Sequence, residues 1–132
     1  MVLCSGCFDG LHAGHVRYLQ AASRLCRDGE SLVVAVAPDL YIRRYKQREP
    51  RWSCADRMET VLALGMVDRV VVHGDDGAAG VIRAERPRLF VKGSDWRDRY
   101  RLFPEILYAC HAVDADIFTV DTPGVHTSEA FA

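Results

Sequence analysis

Two histidines three positions apart, His12 and His15, are the residues of this sequence best suited to chemistry. They lie in the segment Ser5–His15, which reads SGCFDGLHAGH. On a helical turn, residues three apart share a face, so both rings can point at one anion. Gly14 between them has no Cβ and lets a ligand approach the backbone. An imidazole can hydrogen-bond an oxygen whose charge grows during a reaction. The alternative interpretations of the pair are surface histidines without a function or a metal site, but no third metal ligand lies nearby in the sequence.

The elements around this segment favour a phosphate-binding turn. The apolar run 1–4 before it predicts a buried strand, and the apolar spacing of residues 16–22 after it predicts a helix. The first backbone N–H groups of a helix have no internal partner and lie at the positive end of its dipole. A strand, a glycine-containing turn and a helix start in this order therefore predict an anion site at the turn.

The run Gly6–His15 resembles the G-x-F-D-x-x-H-x-G-H signature of nucleotidyltransferases of the cytidylyltransferase-like superfamily. It is most similar to heptose 1-phosphate adenylyltransferases, and next to glycerol-3-phosphate cytidylyltransferases. The resemblance extends from Leu3 to about Ser128. It implies transfer of a nucleoside monophosphate from ATP or CTP to a phosphorylated small molecule, with release of pyrophosphate.

Three readings of the activity stay open at this point. ATP with a sugar 1-phosphate such as heptose 1-phosphate is favoured. CTP with glycerol phosphate is the first alternative, and a nucleotide-binding module without turnover is the second.

The resemblance also implies roles for individual residues. It makes His12, His15 and Lys46 catalytic, and it sets Asp95 and Trp96 near the acceptor. Nucleotide-binding residues are implied in the signature turn and in later loops, namely Gly6, Cys7, Phe8, Asp9, Gly14, Arg57, Lys92, Gly93, Thr127 and Ser128. Mg²⁺ is expected to bind mainly through the nucleotide phosphates, so no protein metal ligand is assigned. Whether Asp9 organises the turn or contacts the metal stays open.

The closing segment Gly124–Ser128 reads GVHTS and resembles the second phosphate motif of the family, Gly-Ile-Ser-Thr-Thr or similar. Thr127 and Ser128 retain two hydroxyls, whereas His126 replaces the usual first one. The alternative reading is a helix N-cap followed by a frayed tail.

Alternating strands and helices predict the fold. The expected strands are 1–4, 31–37, 69–73, 89–92 and 116–120. This order favours an α/β, Rossmann-like three-layer sandwich with a five-stranded parallel sheet, formed by one domain over residues 1–132. Pro38–Trp52 is predicted to be an irregular cationic loop in which Lys46 reaches phosphate while the other cations are solvated.

A further helix is predicted to begin after Ser53, which has the character of an N-cap. Its apolar residues Met58, Val61 and Leu62 are expected to be buried. Arg57 in its first turn is either an exposed charge or a contact to the nucleotide, and both readings stay open.

Composition narrows the class of partner. The chain of 132 residues has a formal net charge of −1, which argues against a general binder of nucleic acid or anionic membranes. No apolar run approaches ~20 residues and no leader is evident, so a cytoplasmic protein is expected. The five cysteines are scattered and are expected to be reduced. The resemblance implies a homodimer.

Overall fold

A computed structural model describes residues 1–93 and 104–121 of the chain, and within them the backbone forms one parallel sheet. The five strands lie in the order β3-β2-β1-β4-β5, and all four neighbouring pairs are parallel. Their bounds are β1 Val2–Gly6, β2 Leu32–Val36, β3 Arg69–Val72, β4 Leu89–Gly93 and β5 Asp116–Val120. The predicted α/β, Rossmann-like class is confirmed.

Helices cover both faces of the sheet and create two apolar layers. Their bounds are α1 Ala13–Arg24, α2 Asp39–Tyr45, α3 Cys54–Leu62, α4 Ala79–Glu85 and α5 Pro104–Val113. In one layer Leu19 of α1 and Val61 of α3 pack with Val34 of β2. In the other, Ile82 of α4 and Ile106 of α5 pack with further strand residues. A sheet covered on both sides explains why β1, β2 and β4 are buried along their full length.

The helix α2 was not anticipated in the cationic segment. Pro38 lies at the N-cap position with φ −69°, and Asp39 contributes a negative charge to the first turn. Ile42 then packs in a small buried cluster with Cys7 and Ala37. This short helix therefore has one buried apolar side chain and a favourable N-terminus, while Leu40 and Tyr45 are exposed together with its two arginines.

The helix α3 begins as predicted, because the Ser53 hydroxyl accepts the N–H of Asp56 at 3.2 Å. The expected burial of Leu62 is wrong, since this side chain is 49% exposed. The buried stripe is centred on Arg57 and Val61, and Leu62 lies roughly 100° around the helix from it.

The strand order creates a crevice at the centre of the sheet. From β1 the chain runs outward to β2 and β3, then returns to β4 on the other side of β1. Ligands of open α/β sheets bind beyond the carboxyl ends of the strands at such a reversal. The end of β1 at Gly6 and the end of β4 at Gly93 therefore border the expected binding crevice. None of the helices described is both long enough and apolar enough to span a bilayer.

Candidate active site

The turn after β1 has a strained backbone. Phe8 adopts the left-handed conformation with φ +51°, and Gly10 follows with φ +103°. This conformation costs a bulky residue roughly 1–2 kcal/mol, whereas glycine adopts it freely. The ring of Phe8 is buried over Gly6, where an added Cβ would lie 2.9 Å from Cε2 of that ring. Gly6 is thus required by the packing of Phe8.

The two histidines cap the start of α1 through their Nδ1 atoms. Nδ1 of His12 accepts the backbone N–H of Gly14 at 3.0 Å, and Nδ1 of His15 accepts the N–H of His12 at 3.2 Å. A ring nitrogen that accepts a hydrogen bond carries no proton, so each neutral ring bears its proton on Nε2. Both imidazoles are therefore in the tautomer that offers an Nε2–H donor.

The rings of the histidines lie close together at the head of the helix. Their centroids are 4.0 Å apart, and His15 also packs 5.3 Å from the ring of Phe8. His12 is exposed, while His15 is only 2% exposed. The prediction that the two rings share one face of a helical turn is confirmed by this geometry.

Asp9 ties the turn to the segment that precedes α3. Its Oδ2 accepts from Nη1 of Arg48 at 2.6 Å and from the N–H of Arg51 at 2.9 Å. Its Oδ1 accepts the N–H of Trp52 at 3.0 Å. Burial alone would raise the pKa of this carboxyl, but these hydrogen bonds outweigh it and hold the pKa below the usual range. Of the two roles left open for Asp9, the geometry favours organising the turn.

Arg57 lies at the centre of a second set of contacts and is 1% exposed. Its Nη1 donates to the carbonyl oxygens of Cys7 at 2.8 Å and Ala37 at 2.6 Å. Its Nη2 donates to Asp39 at 2.7 Å, and its Nε donates to the carbonyl of Trp52 at 3.0 Å. The guanidinium thus joins the ends of β1 and β2 to the starts of α2 and α3. Direct contact of Arg57 with a nucleotide stays a prediction.

Lys92 lies at the end of β4, beside the turn. It is 4% exposed, and its Nζ donates to the carbonyl oxygen of Ser5 at 2.9 Å. Tyr18 of α1 donates to the carbonyl of Val91, which holds the first helix against this strand. Gly93 ends β4 and is also buried. The structure therefore brings Lys92 and Gly93 to the same crevice as the signature turn.

The turn lies in a positive electrostatic environment although the chain is slightly acidic overall. Burial raises the pKa of the Cys7 thiol above its ordinary value. Four cationic side chains act in the opposite direction, namely Lys46, Lys92, Arg57 and Arg48. The thiol therefore stays protonated near neutral pH and is a poor nucleophile. The same cations favour an anion at the turn. Lys46 follows α2 as its C-cap residue, and its contact with phosphate stays a prediction.

A cavity of about 290 Å³ opens beside the turn. It is lined by Phe8, Gly10, Leu11, Trp52, Asp56, Arg57, Glu59 and Thr60. Its size is at the lower end of the range for small-molecule sites. Trp52 and Arg57 therefore both shape this cavity and hold the turn through their hydrogen bonds.

His73 is a further titratable group at this edge of the sheet that the sequence did not single out. It follows β3, is 6% exposed and packs edge-on against Tyr41, with ring centroids 4.7 Å apart. Its Nδ1 lies 2.8 Å from the carbonyl oxygen of Gly74, which can only accept, so the ring proton is on Nδ1. Burial lowers the pKa of His73, which keeps the ring neutral at pH 7.

Two groups of predicted site residues lie outside the described ranges. They are the acceptor residues Asp95 and Trp96 and the closing hydroxyls of Thr127 and Ser128. In residues 1–93 and 104–121, no group of three or more histidine, cysteine or carboxylate side chains could hold a metal ion.

Comparison with known proteins shows the family to which the chain belongs. Residues 3–129 match the family described as cytidylyltransferase-like. Bifunctional protein HldE of Halorhodospira halophila is 47% identical over 98 residues, and the Coxiella burnetii protein of that name is 43% identical over the same length. Each alignment covers 74% of this chain and 20% of the relative, so the chain spans about a fifth of the length of these relatives.

A solved structure is similar over nearly the whole length. The lipopolysaccharide core biosynthesis protein from Thermoplasma volcanium superposes with a TM-score of 0.75 at 26% identity. The superposition covers 92% of this chain and 95% of that one.

Proposed function

Because the chain belongs to the cytidylyltransferase-like family of nucleotidyltransferases, we propose that it moves a nucleoside monophosphate from a nucleoside triphosphate to a phosphorylated sugar. The favoured pair is ATP and a sugar 1-phosphate such as heptose 1-phosphate. The sequence identity to HldE proteins supports this choice of substrates. In this proposal residues 1–132 act as a single nucleotidyltransferase domain.

The observation that carries the proposal is that Nδ1 of each histidine accepts a backbone N–H, from Gly14 for His12 and from His12 for His15. The proton of each neutral ring is therefore on Nε2, and both rings lie at the head of α1. They lie at the reversal of the strand order, where the N-terminus of a helix favours negative charge. Donors fixed in advance at such a point suit a phosphoryl group whose charge increases during reaction.

The proposed reaction needs no nucleophile from the protein. An oxygen of the acceptor phosphate, already ionised at neutral pH, forms a bond to the α-phosphorus. The bond from that phosphorus to the bridging oxygen breaks, and pyrophosphate leaves with the electron pair. His12 and His15 hydrogen-bond the oxygens of the α-phosphate, and the protein acts by positioning and charge stabilisation.

The remaining phosphates are assigned to the flanking cations and hydroxyls. Lys46 is proposed to contact the β- and γ-phosphates together with Thr127 and Ser128. The cationic environment of the turn supports the role of Lys46. Mg²⁺ is proposed to enter with the nucleotide, where it neutralises phosphate charge while keeping several waters. The homodimer, the cytoplasmic location and the acceptor roles of Asp95 and Trp96 stay predictions.

Pyrophosphate release across a matrix of substrates tests the proposal. ATP and CTP are each combined with heptose 1-phosphate, other sugar 1-phosphates and glycerol 3-phosphate. Release with ATP and a sugar 1-phosphate is expected. Release with CTP and glycerol 3-phosphate would instead support the cytidylyltransferase alternative. A rise in melting temperature with nucleotide, but no pyrophosphate from any pair, would support a binding module and contradict the proposal.

A further inference from the structure

The backbone N–H and the backbone carbonyl of Trp52 are both hydrogen-bonded to buried charged side chains. The N–H of Trp52 donates to Oδ1 of Asp9, and its carbonyl accepts from Nε of Arg57, each at 3.0 Å. The same guanidinium donates to the carbonyl of Cys7 at 2.8 Å. Asp9, Trp52 and Arg57 are called the clasp below. Cys7 and Asp9 flank Phe8, so the clasp holds the turn on both sides of its left-handed residue.

The clasp acts through backbone and buried charge. Asp9 is 7% exposed and Arg57 is 1% exposed, whereas the Trp52 residue is 57% exposed. Hydrogen bonds to ionised groups are the stronger ones, and burial reduces their screening. A clasp of this kind can maintain a backbone conformation that would otherwise be unfavourable at Phe8.

We infer that Asp9 and Arg57 are positioning residues that fix the signature turn for nucleotidyl transfer, an inference that rests on the proposed function. The clasp holds Phe8 left-handed, and the turn leads within four residues to the N-cap histidine of α1. It also holds residues 48–52, which follow Lys46, against the turn. The relative position of the imidazoles and the phosphate-binding lysine therefore depends on the clasp.

Direct ligand contact by Asp9 is the competing reading. Both carboxylate oxygens already accept hydrogen bonds, Oδ2 from Arg48 and the N–H of Arg51 and Oδ1 from the N–H of Trp52. These three hydrogen bonds fill all but one of the roughly four acceptor positions of the carboxylate, and Asp9 is only 7% exposed, so little of it is left for a metal ion. The clasp predicts that Asp9 influences the reaction without binding Mg²⁺.

Limited proteolysis tests the clasp without relying on activity. Trypsin cleaves after Arg51, and the N–H of the scissile bond belongs to Trp52. Asp9→Asn keeps the shape of the side chain but lowers its capacity to accept hydrogen bonds. The segment 48–52 should therefore detach from the turn more often. Cleavage at 51–52 should rise by roughly tenfold, as expected for a weakened hydrogen bond to a charged group. Equal rates in wild type and variant would overturn the inference.

Glu49→Gln is the matched control for this experiment. It makes the same change from carboxylate to amide within the same segment, and it breaks an exposed pair with Arg43 at 2.7 Å. Cleavage at 51–52 and pyrophosphate release should both stay within twofold of wild type. A response equal to that of Asp9→Asn would mean that any lost charge loosens the segment, and it would contradict the clasp.

Kinetics separate positioning from ligand binding. Asp9→Asn should lower kcat by roughly tenfold or more, while the Mg²⁺ concentration for half-maximal rate stays unchanged. A shifted Mg²⁺ dependence would make Asp9 a metal contact and would overturn the inference.

If Asp9→Asn fails to fold, Arg48→Gln makes the test, because it removes one donor to Asp9 from a partly exposed side chain. If wild type releases no pyrophosphate, the proposed function fails, and the proteolysis still decides whether the clasp holds the turn.

Discussion

Replacing His15 by asparagine or by glutamine separates the two tasks of this ring. Asparagine carries its side-chain oxygen close to the position of Nδ1, so it can still accept the N–H of His12. Glutamine extends an amide N–H toward the position of Nε2 and does not preserve the cap. The first variant keeps the helix cap and loses the donor, and the second keeps a donor and loses the cap.

The expected magnitudes follow from the two contacts. Loss of a donor that stabilises developing charge costs roughly 2.7–4 kcal/mol, or about 10²–10³ in kcat. Loss of the His15 side chain as acceptor of the His12 N–H costs about 0.5–1.5 kcal/mol in the free energy of unfolding, the usual net value of one hydrogen bond. We therefore expect His15→Asn to lose about 10²–10³ in kcat relative to wild type. His15→Gln should be less stable than His15→Asn but should have a higher kcat. His15→Ala should show both losses.

The assay is initial-rate pyrophosphate release at saturating substrates, with urea denaturation of each variant measured in parallel. The proposed donor role of His15 is refuted if His15→Asn retains kcat near that of wild type. It is also refuted if activity follows stability, so that the asparagine variant is the more active of the two. Either result would mean that Nε2–H of this ring does not contact the reacting phosphate.

Three other predictions concern separate contacts. Lys46→Met should raise the KM for the nucleotide by roughly tenfold or more, because a charged contact to phosphate is lost; an unchanged KM would contradict that role. Hydrogen bonds from Arg88 lower the pKa of Glu30 to about 2, so their contribution to stability is present above pH about 4.5 and is lost as pH falls toward 2. Arg88→Gln should flatten the pH dependence of the free energy of unfolding, measured by urea denaturation, in that window. An unaltered pH dependence would exclude the pair of Arg88 and Glu30 as its source. Tyr18→Phe leaves the buried carbonyl of Val91 without this donor and should lower the free energy of unfolding by about 1–3 kcal/mol; thermal denaturation equal to wild type would contradict this.

The general plan of the fold could be predicted from the sequence because it depends on local patterns. Continuous apolar runs such as Leu32–Val36 mark buried parallel strands, and the alternation with helical spacing fixes the class. The short helix Asp39–Tyr45 was missed because Ile42 is its one buried side chain, while the apolar residues Leu40 and Tyr45 are exposed. Periodicity cannot identify a helix of two turns with a single buried position.

In the candidate site too, features that depend on neighbouring residues could be predicted from the sequence, and those that depend on residues distant in the chain could not. The pairing of His12 and His15 on one turn follows from their spacing, and the structure agrees with it. The burial of Arg57 could not be predicted, because its partners are carbonyl groups of segments 20 and 50 residues away in the chain. For the same reason Arg48 was expected to be solvated, although it is bound to Asp9, 39 residues away.

The central claim is that both imidazoles contact the innermost phosphate of a nucleoside triphosphate. A crystal structure with α,β-methylene ATP, which cannot release its terminal phosphates at the reacting bond, measures this contact directly. We expect Nε2 of His12 and of His15 to lie within about 3.2 Å of α-phosphate oxygens. An α-phosphate bound elsewhere, with both rings beyond hydrogen-bond distance from it, would contradict the proposed role of the two histidines.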